Sequence, residues 1–252
     1  MHRTLITGAS SGIGRALALE LAGAGHSLIL VSRRKDELDL VAQACRKAGA
    51  PIAHALAGDV SDSSKANALV HEAEKLLGGI DTLIVNAGIS RHKNANKLTW
   101  EHFEAIFATN VNGAVSMIIA SLPEMLKRGQ GQIIGVSSIA AFRGLPTSAA
   151  YCASKAALTT FLEALRPELK GHGIAVSVVS PGFVRTPLTE KNKYPMPFLM
   201  TPEKAARIIA RGMTKRKPHI AFPWPTHMAM RVLQLLPASV YDFLMTRKKI
   251  ET

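Results

Sequence analysis

Short unbroken apolar runs alternate along this chain with longer stretches in which apolar residues recur every three to four positions. The runs at 4–7, 27–31, 52–57, 82–86, 132–137 and 175–180 read as strands, and 220–222 adds a last edge strand. They are apolar throughout rather than alternating, as strands buried on both faces are. Helical patterns occupy about 12–24, 37–48, 63–77, 100–122, 149–170 and 202–213. Strand and helix follow one another through short turns. That order predicts an α/β fold: one doubly wound domain with a parallel sheet, right-handed crossovers and helices on both faces. A ligand crevice is expected at the carboxyl ends of the strands.

Two segments depart from the pattern. Residues 188–203 carry Pro195, Pro197 and Pro202, which forbid a regular helix. Thr201 then caps a helix that has Pro202 in its first position and Glu203 in its first turn. Residues 226–245 form a helical pattern interrupted by Pro237. We divide the chain into one α/β domain over 1–222 and a basic amphipathic extension over 223–252.

A chain of 252 residues, 47% hydrophobic and 19% charged, is long enough for one large globular domain. Its net charge of +13 is uneven: residues 190–252 hold 12 basic and 4 acidic side chains. Such a tail either meets an anionic partner or is a solvated helical face, and the second reading is the simpler one. Cys45 and Cys152 lie far apart, with no CxxC spacing. They form neither a disulfide framework nor a metal site and suit a reducing, cytoplasmic compartment. Thr7 and Gly8 follow the first apolar run too soon for a signal peptide, and no uninterrupted run of about 18 apolar residues predicts a membrane span.

The first turn reads Thr7-Gly8-Ala9-Ser10-Ser11-Gly12-Ile13-Gly14. Gly8 and Gly12 allow a tight turn and close approach of a ligand, and Gly14 lets the helix pack on the strand. The helix N-terminus offers free amides to a pyrophosphate. Between a first strand and a first helix, this is the setting a dinucleotide site needs. The second strand ends in Ser32-Arg33-Arg34, with no carboxylate for a ribose 2′-hydroxyl. Two cations there suit the 2′-phosphate of NADP(H), the alternative being a surface arginine pair. Tyr151 and Lys155, four apart in a helical pattern, share one face, either as a surface contact or as a proton-transfer pair. An ammonium beside a phenol favours phenolate and makes it a usable acid and base. Ser138, at the end of the fifth strand, either polarises a substrate oxygen or caps the next segment. Asn110 interrupts a long helix and can hold a water or satisfy a kinked backbone. No Gly-x-Ser-x-Gly elbow is present, so a hydrolase nucleophile is not expected.

Together these motifs resemble the short-chain dehydrogenase/reductase family over about residues 3–190, and the resemblance implies a Rossmann-like fold and an oxidoreductase using NADP(H) in preference to NAD(H). It places the cofactor on Gly8, Ser10, Ser11, Gly12, Ile13 and Gly14, on Ser32, Arg33 and Arg34, and on Asp59 and Val60 at the adenine. Asn86, Ala87 and Gly88 would lie by the ribose, and Pro181, Gly182, Val184 and Thr186 against the nicotinamide. Asn110, Ser138, Tyr151 and Lys155 match the family's catalytic tetrad. Tyr151 would be the acid in reduction and the base in oxidation. Lys155 would bind the nicotinamide ribose, and Ser138 would orient the substrate carbonyl. Asn110 would hold a water linking Lys155 to solvent, and Thr186 would bond the carboxamide. Val85 stands where many members have a second Asn. The segment after Phe222 has no counterpart in the shared motifs.

In the family, the loop after the nicotinamide segment closes over the substrate. Here it carries Tyr194, Met196, Phe198, Leu199 and Met200, which predict an apolar ketone or aldehyde, or the matching secondary alcohol. A 3-oxoacyl or 3-keto-lipid reductase is the alternative within the family; a non-catalytic NADP-binding regulator is the alternative outside it. A homodimer or homotetramer is expected. No metal site and no nucleic-acid partner are expected, since no recognition motif accompanies the positive charge. The extension pairs apolar residues with Arg231, Arg247, Lys248 and Lys249. Packing on the domain or at a subunit interface is favoured there over contact with a membrane.

Overall fold

The computed structural model describes residues 2–190, 192 and 195–247. Tyr194, Lys248 and Lys249 lie outside the described residues. Seven parallel strands form the described sheet: β1 (Arg3–Thr7), β2 (Ser27–Ser32), β3 (Ala53–Ala57), β4 (Thr82–Val85), β5 (Gly131–Val136), β6 (Ile174–Pro181) and β7 (His219–Phe222). Their order is β3-β2-β1-β4-β5-β6-β7. The winding direction reverses between β1 and β4, which opens a crevice at their carboxyl ends. The edge strand expected at 220–222 is present and pairs with β6.

Neighbouring residues of each central strand point to opposite faces, and both faces are covered. Ile6, Leu30, Ile84 and Ile134 pack beneath α1 (Gly12–Gly23), α2 (Lys35–Lys47) and α7 (Pro202–Thr214). Leu5, Ile29, Leu83 and Ile133 pack beneath α3 (Ala66–Leu77), α5 (Gly113–Arg128) and α6 (Ala149–Lys170). This two-sided burial is the physical cause of the continuous apolar runs. Cys45 and Cys152 are free and buried.

The single helix expected over 100–122 is divided and longer. It runs as α4 (Trp100–Phe107), a π-helical turn over Ala108–Asn112, and α5. Asn110 sits fully buried in that turn. Pro123 does not stop α5, because the bond it forfeits, to the carbonyl of Ile119, lies on the water-facing side of the helix. Gly129, at φ 63°, ends it. The whole stretch Trp100–Arg128 is long and apolar enough to cross a membrane, which counting unbroken runs did not reveal. Here Met117 and Ile118 bury its inner face completely in the domain core.

Beyond β7 the extension forms α8 (Trp224–Leu235) and α9 (Ala238–Arg247), separated at Pro237 as the pattern predicts. Met230 of α8 joins Ile139 and Phe142 in a small apolar cluster. A Cβ on Gly182 would stand 3.0 Å from both Pro223 and Thr226, so the start of α8 lies directly behind the β6 loop.

Gly113 opens α5 against the main-chain carbonyl of Val60, with no room for a Cβ. Gly113→Ala must therefore displace either α5 or the Asp59–Val60 loop. We expect a loss of about 1–3 kcal/mol and a fall in Tm of roughly 2–4 °C for each kcal/mol, read by thermal denaturation.

Candidate active site

At the crevice, the end of β4 is tied to the end of β1. Thr7 Oγ1 accepts from the backbone N–H of Asn86 at 3.0 Å and of Ala87 at 3.1 Å. Asn86 Nδ2 donates to the carbonyls of Thr7 at 3.0 Å and Gly8 at 3.1 Å. The strands approach so closely that a Cβ on Gly8, at φ 67°, would stand 2.7 Å from Ala87 Cα. Gly12, at φ 56°, faces Thr186 at a similar distance. The resulting cleft has a volume of about 740 Å³ and runs along the carboxyl ends of β1, β2 and β4–β6.

Most of the expected cofactor residues line this cleft: Gly8, Ser10, Ser11, Gly12, Ile13, Ser32, Arg33, Arg34, Asp59, Val60, Asn86, Ala87, Gly88, Pro181, Gly182, Val184 and Thr186. Gly14 does not. A Cβ there would strike the Gly8 carbonyl and Asn86 Nδ2, so Gly14 holds α1 against the turn rather than facing a ligand. At one end of the cleft, Arg34 Nη2 donates to Ser10 Oγ at 3.0 Å while Nη1 pairs with Glu37 at 2.7 Å. Arg33 is looser, 65% exposed and 3.8 Å from Asp59. Burial raises the Asp59 pKa, but hydrogen bonds from Ser61 and the Arg33 charge more than offset this, so its carboxyl lies below the ordinary range.

At the other end, α6 is laced to β5. Lys155 Nζ donates to the Val136 carbonyl at 2.8 Å, and Ser137 Oγ donates to the Lys155 carbonyl at 2.9 Å. Ser137 also meets Thr159 Oγ1 at 2.7 Å and is buried. Ser138, one residue on, is partly exposed to the cleft, where its Oγ accepts from Ala140 N–H at 3.1 Å. It caps the following turn, and its own O–H proton remains available to a ligand. Tyr151 and Lys155 both line the cleft, with Nζ 5.9 Å from the phenol ring centroid.

Asn110 uses both atoms of its amide. Its Oδ1 accepts from Ile89 N–H at 2.8 Å, and its Nδ2 donates to the Ile89 carbonyl and to Ser154 Oγ, both at 3.0 Å. Ser154 Oγ in turn donates to the Tyr151 carbonyl at 2.7 Å. The side chain clamps the β4 loop to the first turn of α6. Its reach to Tyr151 runs through Ser154, a residue for which the sequence offers no signal beyond its place between Tyr151 and Lys155.

The apolar loop is placed differently from expectation. Phe198 and Leu199 face solvent, and Met200 is buried beside Val184 in a strand-like bridge. None of them, nor Met196, lines the cleft. Pro187, Leu188, Thr189 and Asn192 line it instead, with Ile89, Arg91 and His92 from the β4 loop. His92 joins three segments: Nδ1 meets Ser148 Oγ at 2.9 Å, and Nε2 meets Asn192 Oδ1 at 3.1 Å. His92 was not expected, because it belongs to no motif and its partners are 56 and 100 residues away. No cluster of metal-ligating side chains is found among the described residues.

Burial lowers the Lys155 pKa to about 8. An unfolded lysine titrates near 10.4. Between these values the unfolded chain binds the additional proton, so this group makes the cofactor-free protein more stable as pH rises from about 8 to about 10; below 8 its penalty is fully present. Urea titration of wild type against Lys155→Met should show the difference moving in favour of wild type across that window.

A sequence model described as short chain dehydrogenase matches residues 2–196. An uncharacterized oxidoreductase of Myxococcus xanthus is 39% identical over 242 residues, covering 96% of this chain and 95% of the relative. The ketoacyl reductase HetN of Nostoc is 33% identical, covering 94% and 85%. A crystal structure of a short-chain dehydrogenase from Streptomyces avermitilis superposes with a TM-score of 0.82 at 28% identity, over 99% of this chain and 97% of that one. The family binds a nicotinamide cofactor and acts on alcohol and carbonyl groups of small molecules. With the parallel sheet, the glycine turn and the Tyr151–Lys155 wall in place, the chain belongs to the short-chain dehydrogenase/reductase family of oxidoreductases.

Proposed function

We propose that the protein is an NADP(H)-dependent carbonyl reductase or secondary-alcohol dehydrogenase working in the cytoplasm. The observation that carries this reading is the convergence of Ser138, Tyr151 and Lys155 on one wall of a cleft whose far end presents Arg33 and Arg34. The cleft fits the cofactor. Its floor is built where side chains are excluded, at Gly8 and Gly12, and the start of α1 at Ser11, Gly12 and Ile13 lines it, where helix amides suit a pyrophosphate. The glycine turn would hold the pyrophosphate, Arg33 and Arg34 a 2′-phosphate, and Asp59 and Val60 the adenine. Asn86–Gly88 and Lys155 would hold ribose, and Pro181, Gly182, Val184 and Thr186 the nicotinamide side. When bound, the nicotinamide supplies or accepts the hydride.

This chain's own residues manage the proton and the charge. Ser138 donates its free O–H to the substrate oxygen, and the Ala140 amide on its Oγ strengthens that donor. Tyr151 passes its phenolic proton to the same oxygen in reduction and takes it back in oxidation. Lys155 is oriented by its bond to the Val136 carbonyl, and its ammonium stabilises the negative charge that develops on the phenolic oxygen. Asn110 acts one step back, as a positioning residue for the turn that carries Tyr151.

We read the substrate as a ketone with an apolar body. The support is Ile89, Pro187 and Leu188 along the cleft rather than the outward-facing Phe198 and Leu199. Arg91 at the rim favours a second reading, a 3-oxoacyl reductase whose acyl group carries an anionic handle. The name of the Nostoc relative agrees with it.

Two experiments test the proposal. Tyr151→Phe should cost about 10²–10⁴-fold in kcat with cofactor affinity nearly kept, and Ser138→Ala about 10²–10³-fold. Retained turnover in Tyr151→Phe would remove it from the reaction. In fluorescence titrations wild type should bind NADPH at least about tenfold more tightly than NADH, the worth of one charge-assisted bond. Arg33→Ala should lose that preference, and equal binding by wild type would make the arginines surface charge.

A further inference from the structure

We propose that the outer face of α8 and α9 seats this protein on an anionic lipid surface. Helix α8 has two apolar faces. The inner one, with Met230 and the partly buried Leu233, packs on Ile139 and Phe142. The outer one is a stripe at helical spacing: Trp224, Met228, Val232 and Leu235. Trp224 is 72% and Leu235 84% exposed, the largest values among the exposed large apolar residues of the described chain. Helix α9 continues the theme with Val240, Phe243 and Leu244 outward. Its Tyr241 turns inward, donating to the Gly144 carbonyl beneath the guanidinium of Arg143. The extension is thus anchored on the domain, with an apolar surface left over that folding alone does not account for.

Charge selects the occupant. Where α8 and α9 meet the domain stand Arg143, its guanidinium over the Tyr241 ring, and Arg231 of α8 itself, over the Phe142 ring, against Asp242 of α9. Cations next to an apolar stripe complement anionic headgroups over acyl chains. A second copy of this chain seated there by a two-fold axis would bring the same cations together. Tryptophan at one end of the stripe also suits the headgroup level, where its apolar ring and its N–H are both satisfied. The inference rests on exposure and charge, and it stands independently of the substrate and of the cofactor preference.

The test is flotation of the full-length protein with vesicles of phosphatidylglycerol and phosphatidylcholine, against phosphatidylcholine alone. Wild type should float with the anionic vesicles and much less with the neutral ones, and raising salt from about 0.05 M to about 0.5 M should release it. Trp224→Ser/Leu235→Ser should weaken binding at least about tenfold, with turnover unchanged because neither side chain touches the cleft. Val232→Ser/Phe243→Ser serves as an independent second pair should the first fold poorly. In a Trp100→Phe background the Trp224 emission should shift to the blue on anionic vesicles. Absence of flotation, or flotation equal in wild type and both paired variants, overturns the proposal. So does a wild-type dimer that dissociates in the variants while no lipid is bound, since the stripe would then be a subunit interface.

Discussion

The clasp between the ends of β1 and β4 is the constraint on which the rest of the site depends. Two parallel strands that wind away from each other leave a crevice only if their ends are held in register. Thr7 and Asn86 hold them with four hydrogen bonds inside a few ångströms. The amide of Asn86 satisfies the two carbonyls at which β1 turns into the glycine loop. Those carbonyls would otherwise be left without donors where the chain leaves the sheet. Because Gly8 touches Ala87 and Gly14 touches Asn86, the same clasp fixes the start of α1. Sheet register, the direction of the helix amides and the depth of the cleft are one mechanical unit.

A second unit ties the chemistry to the sheet. Lys155 is a cation in a nearly dry position, 4% exposed. Such a group is costly unless it is hydrogen-bonded, and the Val136 carbonyl supplies one bond. The ammonium has three donors, so the rest of its capacity faces the cleft. Ser137 closes the loop by bonding the Lys155 carbonyl back to the end of β5. The first turns of α6 therefore cannot rotate relative to the strand, and Tyr151 is held by the same lacing, with Asn110 and Ser154 bracing it from the other side.

Much of this was legible in the sequence because it is local. Continuous apolar runs report strands covered on both faces, and Leu5 and Ile6 do face opposite layers. The glycine turn and the Tyr151–Lys155 spacing are contained within a few residues, and periodicity carries them. What was not legible depends on groups distant in sequence. The spacing of residues 100–122 cannot show that one turn widens so that Asn110 reaches Ile89. The family resemblance marked Phe198 and Leu199 as part of a lid, but a chain can only cover what it faces, and at φ 57° Phe198 turns outward. His92 bridges the loop after β4, the start of α6 and the segment at Asn192, which only the assembled sheet brings together.

The position of α8 bears on how the molecule is made. Translation runs from N- to C-terminus, and domains assemble from what has already emerged. The glycine turn and the Tyr151–Lys155 helix are synthesised early, yet the loop at Gly182 gains its backing from Phe222, Pro223 and Thr226, among the last parts of the described chain. A nascent chain released as far as β6 has the dinucleotide half of its cleft and lacks the support for the other half. Completion of this wall thus waits on the synthesis of α8, and an early stop in α8 would yield a chain with its acid–base residues present and one wall of its cleft unbraced.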